Sequence, residues 1–159
     1  MGENHLRIVR EKIQKELKVL NKINDDCLGF YREIGDVVNS SINLRVLGSF
    51  LHDFYTCVEK IFRIIASDID GEIPVVPSWH SSLLEQMSLD LKPIRKKVIN
   101  DDLMALLYEY LRFRHVFRNL YRFELRWDKM EHLVNSLGNT FNKIELQLDH
   151  FLAFLDEID

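Results

Sequence analysis

No apolar run in these 159 residues approaches the ~18 needed to cross a bilayer, so no membrane span is expected. The first residues, Met1 to Arg7, hold no apolar core of a secretion signal, which points to the cytoplasm. Cysteine is scarce: Cys27 and Cys57 stand 30 positions apart, outside any paired motif, and read as two reduced thiols. Six glycines and three prolines leave little room for tight turns or a collagen-like repeat. No segment sustains apolar–polar alternation, which removes the sheet classes. Metal motifs are missing too. No histidine follows a glutamate by three residues, and no two histidines stand four apart, so no metal site is expected. A glycine-rich phosphate loop and a GxSxG elbow are likewise absent.

What is present is helical periodicity. The chain is 47% hydrophobic with ten phenylalanines, enough for one domain spanning 1–159. Leu6, Val9, Ile13, Leu17, Leu20 and Ile23 mark a long N-terminal helix over 4–34. Leu44, Leu47, Leu51, Phe54, Val58, Ile61, Phe62 and Ile65 make one apolar face over 42–68. Gly48 within that face suggests close approach of a neighbouring backbone. Ile73-Pro-Val-Val-Pro77 reads as a surface loop, after which Ser78 or Ser82 caps a short helix that Pro93 ends. Asn100-Asp101-Asp102 opens a fourth helix with acids at its positive end, and its stripe runs from Leu103 through Val116 and Phe117 to Leu120. Asp128 and Glu131 have capping-box spacing at the head of a last helix to about Leu155. The expected fold is all-α: an antiparallel bundle of four long helices plus one short helix.

Charge is distributed unevenly. The chain carries a formal −4, yet residues 112–126 hold five arginines against one glutamate. An acidic protein that gathers arginines this way builds a local anion site or a contact for an acidic partner. In a continuous helix Arg114, Arg118 and Arg122 share one face, with His115 and Asn119 on the adjoining strip. Arginine forks onto phosphate oxygens, and histidine moves a proton near neutral pH. A phosphate clamp beside a proton shuttle is what metal-free RNA cleavage needs. Phe113, Phe117, Tyr121, Phe123 and Trp127 include candidate platforms for unpaired bases. The competing expectation is that the arginines pair with carboxylates of neighbouring helices. His52 reads as an interface histidine, and His5, His80, His132 and His150 as scattered incidental residues.

The run Arg114-His115-x-x-x-Asn119-x-Tyr121 resembles the signature of the HEPN superfamily. It is most similar to the pattern of HepT-like toxins: arginine, a polar residue, three more, histidine, any residue, tyrosine. Leu51-His-Asp-Phe-Tyr-x-x-Val-Glu-Lys-Ile-Phe62 also looks like the second helix of those domains, and the resemblance spans a core bundle over 42–155. It implies a homodimer in which two motif helices face one cleft and cleave RNA without metal or cofactor. It also implies a partner, a small MNT-type nucleotidyltransferase acting as antitoxin, which in some members attaches AMP to the motif tyrosine.

By position, Arg114 matches the motif arginine, His115 the polar residue and Tyr121 the tyrosine. Asn119 stands where the motif has histidine. Asparagine is no general acid or base, so two expectations stay open. Either Arg114 binds the scissile phosphate, His115 shuttles the proton and Asn119 orients a hydroxyl or phosphate, with Arg118 and Arg122 steering RNA. Or the chain is a catalytically inactive HEPN module that binds only a nucleotidyltransferase or a nucleotide.

Overall fold

The computed structural model describes residues 2–121 and 124–157, and among them there is no strand. Helix α1 spans Glu3–Ile34, α2 Ser41–Ile65, α3 Trp79–Met87, α4 Asp101–Asn119 and α5 Trp127–Glu157. Four long helices and one short helix are thus in place.

Cross-links between helices give their directions. Lys12 meets Asp68 and Glu16 meets Lys60, so α1 and α2 run antiparallel. On α5, Asp156 pairs with Arg10 and Trp127 packs on Tyr31, so α5 runs antiparallel to α1. Gly48 lies against Phe117 and Phe54 packs on Tyr110, so α4 runs antiparallel to α2. The Tyr110 hydroxyl donates to the Leu133 carbonyl at 2.7 Å and ties α4 to α5.

Helix α2 is the axis of the molecule and packs on all four other helices. Its apolar face explains why. Leu47, Leu51, Phe54, Val58, Ile61 and Ile65 are fully buried. Each contributes about 1.5–3 kcal/mol by leaving water. Ser40 caps the helix, its hydroxyl accepting from the Asn43 amide at 3.0 Å. The end of α2 loosens into a π-turn over Ala66–Asp70, closed by Gly71 at φ 79°, where a side chain would be strained.

Several boundaries moved. Helix α3 starts after Ser78 and ends at Met87, well before Pro93. Helix α5 starts at Trp127, two residues before the first position that an Asp128 cap would give, and Asp128 sits in its first turn with its carboxylate on Arg126 at 2.8 Å. Val116 is 49% exposed, because the buried side of α4 is set by Leu107, Tyr110, Leu111 and Phe117. The neighbour that Gly48 admits is a ring, not a backbone: a Cβ there would lie 2.6 Å from Phe117 Cε2.

The segment between α3 and α4 is closed by Arg95, which is 2% exposed. It forks onto Asp70 (Nη2 to Oδ2, 2.7 Å) and donates to the carbonyls of Gln86, Leu89 and Lys96. Asn100 caps α4, accepting from the Leu103 amide at 2.8 Å.

Candidate functional site

Helix α4 carries Arg114 and Arg118 one turn apart, and α2 carries Thr56, Glu59, Lys60 and Arg63 at the same helical period. Because the helices are antiparallel neighbours, these two sets face one groove of about 660 Å³. The start of α3 closes it with Trp79 and His80, and α1 contributes Lys12. Five lysines and arginines line the groove against two carboxylates, Glu59 and Asp68. A positive surface of this kind attracts anions and raises their local concentration.

The five cations are not equivalent. Lys12 bonds Asp68 at 2.7 Å, and this holds the Asp68 carboxyl below its ordinary value. Lys60 bonds Glu16 at 2.7 Å, which raises the ammonium above its usual value and keeps it charged. Arg63 lies over the Trp79 ring at 5.4 Å. Arg114 donates from Nε to the neutral Thr56 hydroxyl at 3.0 Å. Among the described residues no carboxylate pairs with Arg63, Arg114 or Arg118. Those three guanidiniums retain their capacity for an external anion.

Arg114, Arg118 and His80 also line a second groove of about 750 Å³. His115, Asn119 and Val116 lie along its α4 wall, and Pro77, Ser78 and Ser81 along the facing wall. His115 is exposed, with no hydrogen bond to its ring among the described residues. Asn119 turns back on its own helix: Nδ2 donates to the His115 carbonyl at 2.8 Å, one of the last carbonyls of α4. The helix ends there, so the shared face holds Arg114 and Arg118, whereas Arg122 lies outside the described residues. Tyr121 follows the helix and is 70% exposed, with its amide on Glu124 Oε2 at 3.2 Å.

The aromatic platforms thin out. Phe117 is buried against Gly48, stacked on Phe113 and covered by Arg45 at 4.6 Å. Trp127 is packed on Tyr31, and Phe123 lies outside the described residues. Tyr55, beside the groove, is 1% exposed, and burial raises its phenol far above the ordinary value, so it is a neutral wall. Cys27 and Cys57 are free and buried, and burial pushes both thiols up to about 12.

His80 is a residue that spacing alone passed over. Its Nδ1 stands 2.6 Å from Glu59 Oε2, and Glu59 is 5% exposed. The ring also stacks on Trp79 at 3.7 Å. His52 reaches Asp53 at only 3.3 Å and packs on Phe117, His5 bonds the Asp68 carbonyl, and His132 approaches Glu109 at 3.3 Å.

A family model described as HepT-like protein matches residues 46–155, which takes in nearly all of α2 and the whole of α3 and α4 with most of α5. No curated protein and no solved structure matches the chain.

Proposed function

The chain belongs to the HepT-like family, and from that premise we propose that it is a metal-independent endoribonuclease, the toxin of a two-gene module restrained by an MNT-type nucleotidyltransferase. The observation that carries this is the state of Arg114 and Arg118. Both line the groove, and neither is neutralised by a carboxylate among the described residues. Arg95, by contrast, is buried and consumed by Asp70.

In this reading Arg114 binds the scissile phosphate. Thr56 fixes its Nε and leaves the terminal nitrogens to fork onto phosphate oxygens. Arg118, one turn on, offsets the charge that builds on phosphorus as the 2′-oxygen attacks. A histidine moves the proton, and the motif offers His115, which lines the adjoining groove. Arg122, outside the described residues, adds a charge that steers RNA, and a homodimer brings two such helices to one cleft. The cytoplasm is where such a module meets its RNA. Exposure of Tyr121 fits modification by AMP from the partner.

A second reading is favoured by one observation. Asn119, in the place of the motif histidine, has its amide engaged by the His115 carbonyl. In that reading the arginine groove takes a nucleotide or an acidic patch of the transferase, and no bond is cleaved.

One experiment separates them. The purified protein is incubated with a labelled RNA pool in EDTA, beside Arg114→Ala and Arg118→Ala. Cleavage by the wild type that both variants lose supports the nuclease. A folded wild type that leaves the pool intact overturns it in favour of the binding module.

A further inference from the structure

Cleavage of RNA without metal needs a base that can be positioned within hydrogen-bond reach of the 2′-hydroxyl. His115 is exposed, and among the described residues nothing holds its ring. Asn119 is neither a general acid nor a general base. A third position meets the need.

His80 sits in the first turn of α3, with its side chain 32% exposed. On one side it meets Glu59, whose side chain is 6% exposed, at 2.6 Å. An ionised carboxylate only accepts, so a neutral His80 on Glu59 donates from Nδ1–H and carries its lone pair on Nε2. Trp79 stacked at 3.7 Å holds the plane of the ring. The same histidine lines both grooves on which Arg114 and Arg118 open. A buried carboxylate, an oriented imidazole and unneutralised arginines thus converge from α2, α3 and α4.

The geometry points to His80 as the proton acceptor of RNA cleavage, with Glu59 as the residue that positions it. This rests on the nuclease reading above and names the residue that replaces the missing motif histidine. Nε2 takes the proton of the 2′-hydroxyl as the 2′-oxygen forms its bond to phosphorus. The bond from phosphorus to the 5′-oxygen breaks. The departing 5′-oxygen takes a proton from water, and the ring returns its proton to the hydroxide left behind. The products are a 2′,3′-cyclic phosphate and a free 5′-hydroxyl. Glu59 never leaves the ring, as in other carboxylate–histidine pairs where the acid fixes the tautomer.

The test uses the full chain with a labelled RNA in EDTA and, for binding, a 2′-deoxy oligonucleotide that cannot be cleaved. His80→Gln is expected to lower kcat about 100-fold or more. Binding of the deoxy oligonucleotide, read by fluorescence anisotropy, should stay within about threefold, and thermal melting should confirm the fold. Glu59→Gln should lower the rate less, by about tenfold, and should shift the ¹⁵N resonances of the His80 ring, which report its tautomer. A merely structural Glu59 would leave that signature in place. If His80→Gln cleaves at the wild-type rate, or if the loss is confined to His115→Gln, the assignment is overturned. Arg114→Ala, still inactive in that case, would show that the nuclease reading survives it. A wild type that yields no cyclic phosphate end overturns both together.

Discussion

Two arginines separated by 19 positions show how this protein divides its positive charge. Arg95 is 2% exposed, and its guanidinium is spent on Asp70 and three backbone carbonyls. Arg114 is half-buried and gives one hydrogen bond to a neutral hydroxyl. Both are arginine and both sit between helices, yet one is saturated and the other is not. A buried cation must be matched, because leaving water costs several kcal/mol per ion. A cation at a groove rim is still solvated, so the fold tolerates it unpaired and it is available to an external anion. Saturation, rather than residue type, separates the arginine that holds the fold from the one left open to an external anion.

The largest effect is expected where that comparison is broken from the saturated side. Asp70→Ala leaves Arg95 buried and unmatched and should cost about 3–5 kcal/mol, read by urea denaturation. Labelling of Cys27 and Cys57 at pH 8 gives a second reading. With both thiols pushed up to about 12, the native chain should resist a thiol reagent and the variant should not.

Breaking the unsaturated side should do the reverse. Arg114→Ala should leave stability within about 0.5 kcal/mol of the wild type. It should lower RNA cleavage about 10²–10³-fold, roughly 2.7–4 kcal/mol of transition-state stabilisation. A loss of several kcal/mol in unfolding would place Arg114 with Arg95 instead.

The seam that seats α4 on α2 links the two kinds of region. Gly48→Ala drives a methyl to 2.6 Å from Phe117 Cε2, so the ring must move. The expected cost is about 1–3 kcal/mol in thermal unfolding. Displacement of Phe117 should also reach Arg114, three positions away on the same helix.

The smallest effect sharpens the comparison at a partly screened pair. Lys12 holds the Asp68 carboxyl below its ordinary value. A depressed carboxylate contributes stability above its unfolded value near ~3.9, and that contribution is lost as the pH falls through the folded value. Lys12→Ala should therefore cost about 0.2–1 kcal/mol at pH 7 and nothing measurable once Asp68 is protonated. Melting at pH 7 and at strongly acid pH compares the two.

Much of the fold was legible in the order of residues. Apolar steps of three and four marked all four long helices, and Asn100 announced the start of α4, as its bond to the Leu103 amide confirms. Where the reading slipped, side-chain contacts outside the spacing rule had intervened. Asp128 pairs with Arg126, and Trp127 is already packed on Tyr31, so α5 begins two residues before the spacing suggested. Gly48 was recognised as a point of close approach, but only the fold identifies the neighbour as the Phe117 ring.

The site divides in the same way. Arg114 and Arg118 were visible because an α-helix puts residues four apart on one face, a property of the chain by itself. Periodicity likewise determined the all-α class and the core, since an apolar stripe has to be buried wherever its helix is placed. Thr56 under Arg114 and Glu59 behind His80 were not legible. They stand 58 and 21 positions from their partners, and no local pattern relates them. Whether an arginine meets a carboxylate, a hydroxyl or open water depends on which helices become neighbours and at what height. That is settled by packing across helices, not by the helical period that each segment carries on its own.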